Sequence, residues 1–191
     1  KCESVGVDIL FTPTDLYADG HATTVSISGL TEGLCGASRP GHFDGVTTVV
    51  NRLFGLVQPT IAVFGEKDYQ QLAVIRRMAQ DLAMDIEVVG GPLIRDADGL
   101  ALSSRNKYLD GPLRDRALSL SRALHAIREH PSPSVDERLR SAMAVLDVDK
   151  LDYLQIVDPV SLAPLSQIDG PARAMVAAWI SKTRLIDNMA I

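Results

Sequence analysis

The chain has 191 residues, which is enough for one large domain or for one medium and one small domain. Hydrophobic residues make up 46% and charged residues 23%, and no apolar run approaches the roughly 20 residues of a membrane span, so the composition predicts a soluble protein. The formal net charge of -5 argues against the basic surface that non-specific nucleic-acid binding needs.

The N-terminal segment, KCESVGVDILF, has no initiator methionine and no signal-peptide pattern, so we expect the chain to begin within a longer protein. Residues 5–11 form a mostly apolar run that predicts a buried strand, and the β-branched residues of 23–28 predict a second one. Apolar residues then follow helical spacing from 46 to 57, with Asp44 placed to cap the helix. The two cysteines, Cys2 and Cys35, are too few for a disulfide framework and predict a reducing cytoplasm.

The middle of the chain predicts a strand-helix-strand crossover. A strand at 60–64 is followed by a glycine turn, a helix whose apolar face includes residues 72–82, and a strand at 86–89. This order builds parallel sheets. The C-terminal part predicts two helices and then three strands, at 113–129, 135–146, 153–157, 174–180 and 184–190. We therefore predict an α/β domain over 1–109 with a parallel, Rossmann-like sheet, and a smaller α+β domain over 110–191.

The loop after the strand at 60–64 contains a candidate nucleotide site, because ligands bind beyond the carboxyl ends of strands in open α/β sheets. Gly65 allows a close backbone approach, Lys67 supplies a positive charge for a phosphate, and Asp68 can accept from a ribose hydroxyl. Glu66 lies among them, and Gln70 and Gln71 follow at the helix start, where free N–H groups favour anions. Alternatively, these residues form a solvated first turn of the helix.

The segment DGLALSSRNKYL carries the second candidate site. Leu102, Ser103, Ser104 and Arg105 put two hydroxyls beside a guanidinium, a combination suited to phosphate oxygens. Alternatively, this is a polar turn in which one of the serines caps a short helix.

The segment Ser38-Arg39-Pro40-Gly41-His42 is the third candidate. His42 is placed to contact a substrate or to act as an acid or base, although a lone histidine before a helix is more often structural. No histidines and carboxylates have metal-site spacing, so no protein metal ligand is predicted.

Four segments in this order, ASRPGHFDGV, FGEKDYQQL, DGLALSSRNKYL and TRLIDNMAI, resemble the pantothenate synthetase family over essentially the whole chain. That family is related in fold to the class I aminoacyl-tRNA synthetases and other nucleotidyltransferases, so the resemblance implies the same Rossmann-like domain.

The resemblance also implies a reaction and a set of site residues. ATP and pantoate would form a pantoyl adenylate and pyrophosphate, and the amine of β-alanine would then displace AMP, with Mg²⁺ neutralising the phosphates. Catalytic roles would fall to Lys67, Ser103, Ser104 and Arg105. Gln71 would bind pantoate, and Arg39 and His42 are possible substrate contacts. The ATP-binding residues implied by the family are Gly65, Glu66, Lys67, Asp68, Ile94, Leu102, Ser103, Ser104 and Arg105.

Family members carry an upstream H-x-G-H segment that binds ATP, and a further glutamine for pantoate; neither occurs in this sequence. We therefore expect residues 1–191 alone to be inactive. The family is usually dimeric, so the resemblance implies a cytoplasmic homodimer acting on ATP, pantoate and β-alanine. Two alternatives are another nucleotidyltransferase-like enzyme, acting on a phosphorylated acceptor, and a non-catalytic nucleotide-binding module.

Overall fold

The computed structural model describes residues 1–191. Its regular elements are, in chain order, α1 (Leu34–Ser38), α2 (His42–Val57), β1 (Ile61–Gly65), α3 (Tyr69–Asp81), β2 (Glu87–Gly91), α4 (Gly111–Glu129), α5 (Val135–Met143), β3 (Lys150–Val157), β4 (Arg173–Ile180) and β5 (Thr183–Ala190). Short 3₁₀ turns cover Glu3–Val5, Glu66–Asp68 and Ser104–Tyr108. None of the helices is long and apolar enough to cross a lipid bilayer.

The predicted parallel crossover is present. Strands β1 and β2 pair in parallel from Ile61 with Glu87 to Gly65 with Gly91, and α3 connects them. Helix α3 places an apolar face against α2, where Ile75 and Met78 are fully buried. Parallel pairing brings the carboxyl ends of both strands to one edge, so the loops that follow them are neighbours.

The C-terminal sheet is antiparallel, with the order β3-β4-β5. Helix α4 packs across it, and its Leu120, Leu124 and Ile127 are almost completely buried against the strands. The fold is therefore α/β, with a two-stranded parallel sheet that packs on one face against α2 and α3, and an antiparallel sheet beside it. The other face of the parallel sheet is open, since Ile61 and Val63 are 56% and 67% exposed.

A smaller core joins the two parts of the chain. Leu34 and Tyr69, from the parallel part, pack with Tyr153 and Met175 from β3 and β4. The candidate site lies beside this shared core. The domain division near residue 110 stays a prediction.

The two predicted N-terminal strands are wrong. Residues 5–11 pair with no strand, and Val5 and Ile9 are 77% and 82% exposed. Residues 23–28 form no strand either, and their backbone bonds to α2 instead. The N–H of Val25 donates to Thr48 Oγ1 at 3.0 Å, and its carbonyl accepts from Thr47. An apolar run forms a strand only where another strand satisfies its backbone groups, and here side chains of α2 satisfy part of them.

Helix α2 begins earlier than its apolar spacing predicts. It starts at His42, after Gly41 in the left-handed conformation at φ 74°, and no side chain caps it. Asp44 lies inside the first turn, so its predicted capping role is wrong. Its negative charge there is still favourable, because the positive end of the helix dipole lies in the first turn.

Candidate active site

A cavity of about 360 Å³ opens where the start of α3, the Ser104–Tyr108 turn and the β4–β5 hairpin meet. The structure brings seven of the predicted site residues to its wall: Arg39, His42, Lys67, Asp68, Gln71, Ser103 and Arg105. The three candidate segments of the sequence thus belong to one site.

The loop after β1 presents Lys67 to the cavity. Gly65 ends the strand, the turn Glu66–Asp68 follows, and α3 begins at Tyr69. Lys67 is half-buried and its ammonium group has no acidic partner. The first N–H groups of a helix also lack partners within it, so a free cation and free donors lie together.

Ser103 has the capping geometry that was the alternative to a phosphate site. Its Oγ accepts from the N–H of Arg105 at 3.2 Å and thereby begins the Ser104–Tyr108 turn. The hydroxyl proton of Ser103 remains available, because that hydrogen bond uses only a lone pair. The Arg105 side chain is exposed, lines the cavity and forms no ion pair. The cap and the phosphate role are therefore compatible.

The loop that carries Ser103 is fixed by hydrogen bonds from Asn106 and Leu102. Asn106 Nδ2 donates to the carboxylate of Asp96 at 3.2 Å and to the Ala101 carbonyl at 3.1 Å. The Leu102 N–H donates to the Ile94 carbonyl at 2.9 Å. These bonds close the loop on itself and leave the Ser103–Arg105 end directed to the cavity.

Arg39 and His42 form a pair at another part of the wall. Arg39 Nη1 lies 2.9 Å from His42 Nε2, and because guanidinium can only donate, Nε2 accepts and the imidazole is neutral. Burial, with the positive charges of Arg39 and Arg184, lowers the pKa of His42 below its ordinary value. His42 is thus a neutral hydrogen-bonding group at pH 7.

A cluster from distant parts of the chain completes the wall, and sequence analysis missed it. The hydroxyl of Tyr153 lies 3.2 Å from Cys35 Sγ, and Arg184 donates to Asp152 at 2.7 Å and to Ser38 Oγ at 3.2 Å. Burial raises the pKa of Tyr153, so this side chain keeps its proton. Ser38 and Arg184 lie in segments that the sequence analysis named, but the contacts within the cluster could not be predicted, since up to 149 positions separate its members in the chain.

A buried ion pair lies at the floor of the site. Arg95 binds both carboxylate oxygens of Asp187, at 2.7 and 3.0 Å. Burial raises the pKa of Asp187, while the guanidinium of Arg95 opposes this change. Asp187 also lines the cavity. It lies in the segment TRLIDNMAI that carries the family resemblance, but the sequence analysis gave it no role.

Gln70 and Gln71 have different environments. Both border the cavity, but Gln70 is 3% exposed and its amide bonds backbone groups of residues 30–35, whereas the side chain of Gln71 forms no hydrogen bond within the protein. Gln71 is the glutamine available to a ligand. Five other predicted residues lie outside the cavity lining, and their proposed ATP contacts stay predictions: Gly65, Glu66, Ile94, Leu102 and Ser104.

The arrangement suits a polyanion next to a small polar molecule. Lys67 and Arg105 supply positive charge without acidic partners, and the start of α3 supplies backbone donors. Gln71 and His42 supply neutral hydrogen-bonding groups.

The model of the family described as pantoate-beta-alanine ligase matches residues 1–190. The chain belongs to this family. It is 48% identical to the pantothenate synthetase of Pelobacter propionicus over 191 residues, covering 96% of this chain and 67% of that ligase. The pantothenate synthetase of Moorella thermoacetica is also 48% identical, over 97% of this chain and 69% of that protein.

Two solved ligase structures are similar to the fold. The pantothenate synthetase of Thermus thermophilus has a TM-score of 0.93 at 51% identity, covering 98% of this chain and 71% of that one. The Francisella tularensis pantoate-beta-alanine ligase was solved with beta-gamma ATP and beta-alanine; its TM-score is 0.75 at 31% identity, covering 98% of this chain and 66% of that one.

Proposed function

We propose that this chain supplies the nucleotide- and pantoate-binding residues of a ligase that joins pantoate to β-alanine, forming AMP and pyrophosphate from ATP. The cavity is the observation that supports the proposal, because Lys67 and Arg105 without acidic partners, the start of α3 and the free amide of Gln71 lie together at its wall. The chain also belongs to a family of ligases. The names of the relatives favour this reaction over nucleotidyl transfer to a phosphorylated acceptor and over a non-catalytic module.

The reaction has two steps. A carboxylate oxygen of pantoate attacks the α-phosphorus of ATP, the bond to the β-phosphate oxygen breaks, and pyrophosphate leaves with the electron pair. The amine of β-alanine then attacks the pantoyl carbonyl carbon, the bond to AMP breaks, and the amine loses a proton as the amide forms. The negative charge that moves to pyrophosphate is what the protein must stabilise.

Lys67 and Arg105 are the residues that we assign to that charge. They lie on separate loops around the cavity, so two fixed positive charges approach the phosphates from different elements. The Ser103 hydroxyl adds a neutral donor beside Arg105. Because none of these groups must be freed from an acidic partner, they are organised before the substrate arrives.

Gln71 is the residue that we assign to pantoate. Its side-chain amide both donates and accepts, which matches a substrate that has hydroxyl and carboxylate groups. Its place one turn from Lys67 would hold pantoate next to the phosphates. Correct placement of two reactants accounts for a large share of the rate enhancement in such reactions.

The proposal includes Mg²⁺, which would bind together with the nucleotide. The chain brings no three His, Cys, Asp or Glu side chains together as a metal site, and Mg²⁺ commonly takes one or two carboxylates plus phosphate oxygens and waters. Asp68 is the exposed carboxylate at the cavity wall that fits this use. When bound, the ion would neutralise phosphate charge.

Lys67→Ala tests the assignment. In the complete ligase, with the upstream segment present, we expect the pantoate-dependent release of pyrophosphate to fall by about 100-fold or more, because a preorganised charge is lost. Lys107→Ala is the matched control: Lys107 is also a loop lysine, but its ammonium lies 5.0 Å from the Tyr108 ring centre and outside the cavity. Equal rates for the wild type and Lys67→Ala would remove Lys67 from the mechanism.

Gln71→Ala tests the pantoate site. We expect a higher KM for pantoate and a lower turnover, with nearly unchanged ATP binding, because orientation is lost and a substrate polar group is left unpaired. An unchanged KM and turnover would refute the role.

The cytoplasmic location, the homodimer and the inactivity of residues 1–191 alone stay predictions. Light scattering would test the dimer.

A further inference from the structure

Asn188 reaches from the C-terminal sheet to the loop that carries Lys67. It lies in β5 and is 3% exposed. Its Nδ2 donates to the carbonyl oxygens of Glu66 and Lys67, at 2.9 and 3.0 Å. Both protons of the amide thus bind two consecutive backbone groups of one turn.

The orientation of this amide is determined by Arg173. Arg173 Nη1 donates to Asn188 Oδ1 at 2.5 Å, and a guanidinium has no acceptor. The amide oxygen must therefore point to Arg173 and the amide nitrogen to the loop. Arg173 also lies 3.7 Å above the ring of Tyr69 and 3.5 Å from the carboxylate of Glu66.

Apart from these contacts of Asn188 and Arg173, no side-chain hydrogen bond reaches residues 65–68. No side chain caps the Glu66–Asp68 turn or the start of α3, and Gly65 and Asp68 are exposed. Asn188 therefore fixes the backbone at the residue whose side chain enters the cavity. The ammonium group is at the end of a long side chain, so a small rotation of the backbone at Lys67 moves the ammonium further than it moves the backbone. The two hydrogen bonds from Asn188 therefore control where the charge lies.

We infer that Asn188 is a positioning residue for Lys67, and that it supports nucleotide activation through the backbone of the Glu66–Asp68 turn. The inference rests on the proposed function. It gives the C-terminal sheet a part in the nucleotide site, although Asn188 itself is absent from the cavity wall.

Asn188→Asp is the sharpest perturbation. The carboxylate has nearly the same shape and still accepts from Arg173, but it places an acceptor against two carbonyl oxygens where the amide placed donors. The core contacts stay, while the loop loses both bonds. We expect turnover in adenylate formation to fall by about 10- to 100-fold, in line with the cost of a misplacement near 1 Å.

A double-mutant cycle with Lys67→Ala separates positioning from general damage. Single-turnover pyrophosphate release is measured in the complete ligase, with the upstream segment present, for the wild type, Lys67→Ala, Asn188→Asp and the double variant. If Asn188 acts through Lys67, then Asn188→Asp should change the rate by less than about 3-fold once Lys67 is absent. A purely structural role would lower the rate by the same factor in both backgrounds.

Val176→Ala is the control for loss of stability. Val176 is fully buried in the neighbouring strand β4, in the main core and outside the cavity. It should lower the melting temperature and leave the rate unchanged. If Asn188→Asp does not fold, Asn188→Ala enters the same cycle, because it removes the same two donors without adding an acceptor.

The possible results are distinct. A large loss in Asn188→Asp that vanishes in the Lys67→Ala background supports the inference. Equal factors in both backgrounds, or a wild-type rate for the folded Asn188 variant, overturn it and leave the proposed function intact. A wild-type rate for Lys67→Ala overturns the proposed role of Lys67, and the inference with it.

Discussion

Gln70→Ala should destabilise the protein strongly, although this residue looks from the sequence like a surface residue at a helix start. Its Nε2 donates to the carbonyls of Leu30 and Gly33 at 2.8 and 2.9 Å, and its Oε1 accepts from the Cys35 N–H at 2.9 Å. The side chain is 3% exposed. These three bonds attach the segment that leads into α1 to the first turn of α3.

The magnitude follows from the three bonds. Each contributes about 1 kcal/mol net, and a buried group left unpaired costs about 1–3 kcal/mol. Since Gly33 is exposed and water can replace its partner, we expect a loss of about 2–3 kcal/mol in the free energy of unfolding. For a chain of this size that corresponds to a melting temperature lower by roughly 4–12 °C.

Equilibrium unfolding in urea measures this loss, provided that fluorescence and circular dichroism give coincident transitions. Gln71→Ala is the matched control: the same substitution one position further on removes a side chain that has no hydrogen bond within the protein, and it should change stability by less than about 0.5 kcal/mol. Gln70→Glu keeps the size and the acceptor but removes both donors, so it should behave like Gln70→Ala. A loss below about 1 kcal/mol in both Gln70 variants would show that these bonds do not hold the segment.

Three further predictions concern pH, charge and packing. Burial and nearby arginines hold the folded-state pKa of His42 below its ordinary 6.5, so the unfolded chain takes up a proton at a higher pH than the folded protein does. The wild type should therefore lose stability as the pH falls below about 6.5. His42→Gln lacks this titrating group and should lose less stability between about pH 8 and 5. Asp187→Asn should lower the free energy of unfolding by about 3–5 kcal/mol, because it leaves the charge of Arg95 without its buried partner. Gly36→Ala should destabilise by about 1–3 kcal/mol, because the added Cβ would overlap the backbone oxygen of Thr31.

Each of these has its own control. If the free energy of unfolding of wild type and His42→Gln changes with pH in parallel, His42 is not the group responsible for the loss of stability at low pH. Asp81→Asn breaks an exposed pair with Arg77 and should change stability by less than about 1 kcal/mol; an equal effect of Asp187→Asn would contradict the importance of burial. Gly33→Ala meets no atom within 4 Å and should be far milder than Gly36→Ala in the same unfolding assay.

Local periodicity was sufficient to predict a helix or strand where the element that it packs against is close in sequence. The crossover β1-α3-β2 and the strands of the antiparallel sheet were predicted to within a few residues, because one face of each element is apolar at the right spacing. The same logic failed at residues 5–11 and 23–28. An apolar run records a tendency to be buried, but whether a strand forms depends on a neighbour that the run itself does not specify.

The order of the motifs was likewise sufficient to group Lys67, Ser103 and Arg105 in one site, because each follows a strand or the loop after one. The same segments carried the resemblance to the family, and that resemblance implied the class of reaction. These conclusions depend on residue types and spacing along the chain, which the sequence states directly.

Only the tertiary structure decided which side chains meet. Gln70 and Gln71 are identical neighbours, yet a helix turns about 100° per residue, so the amide of Gln70 is buried against residues 30–35 while that of Gln71 stays without a partner at the cavity. Asn188 could be assigned to the Lys67 loop only once β5 lay against it, 121 positions further along the chain. The sequence determines the elements and their chemistry, whereas contacts between distant residues depend on how the sheets pack, and no local pattern encodes that.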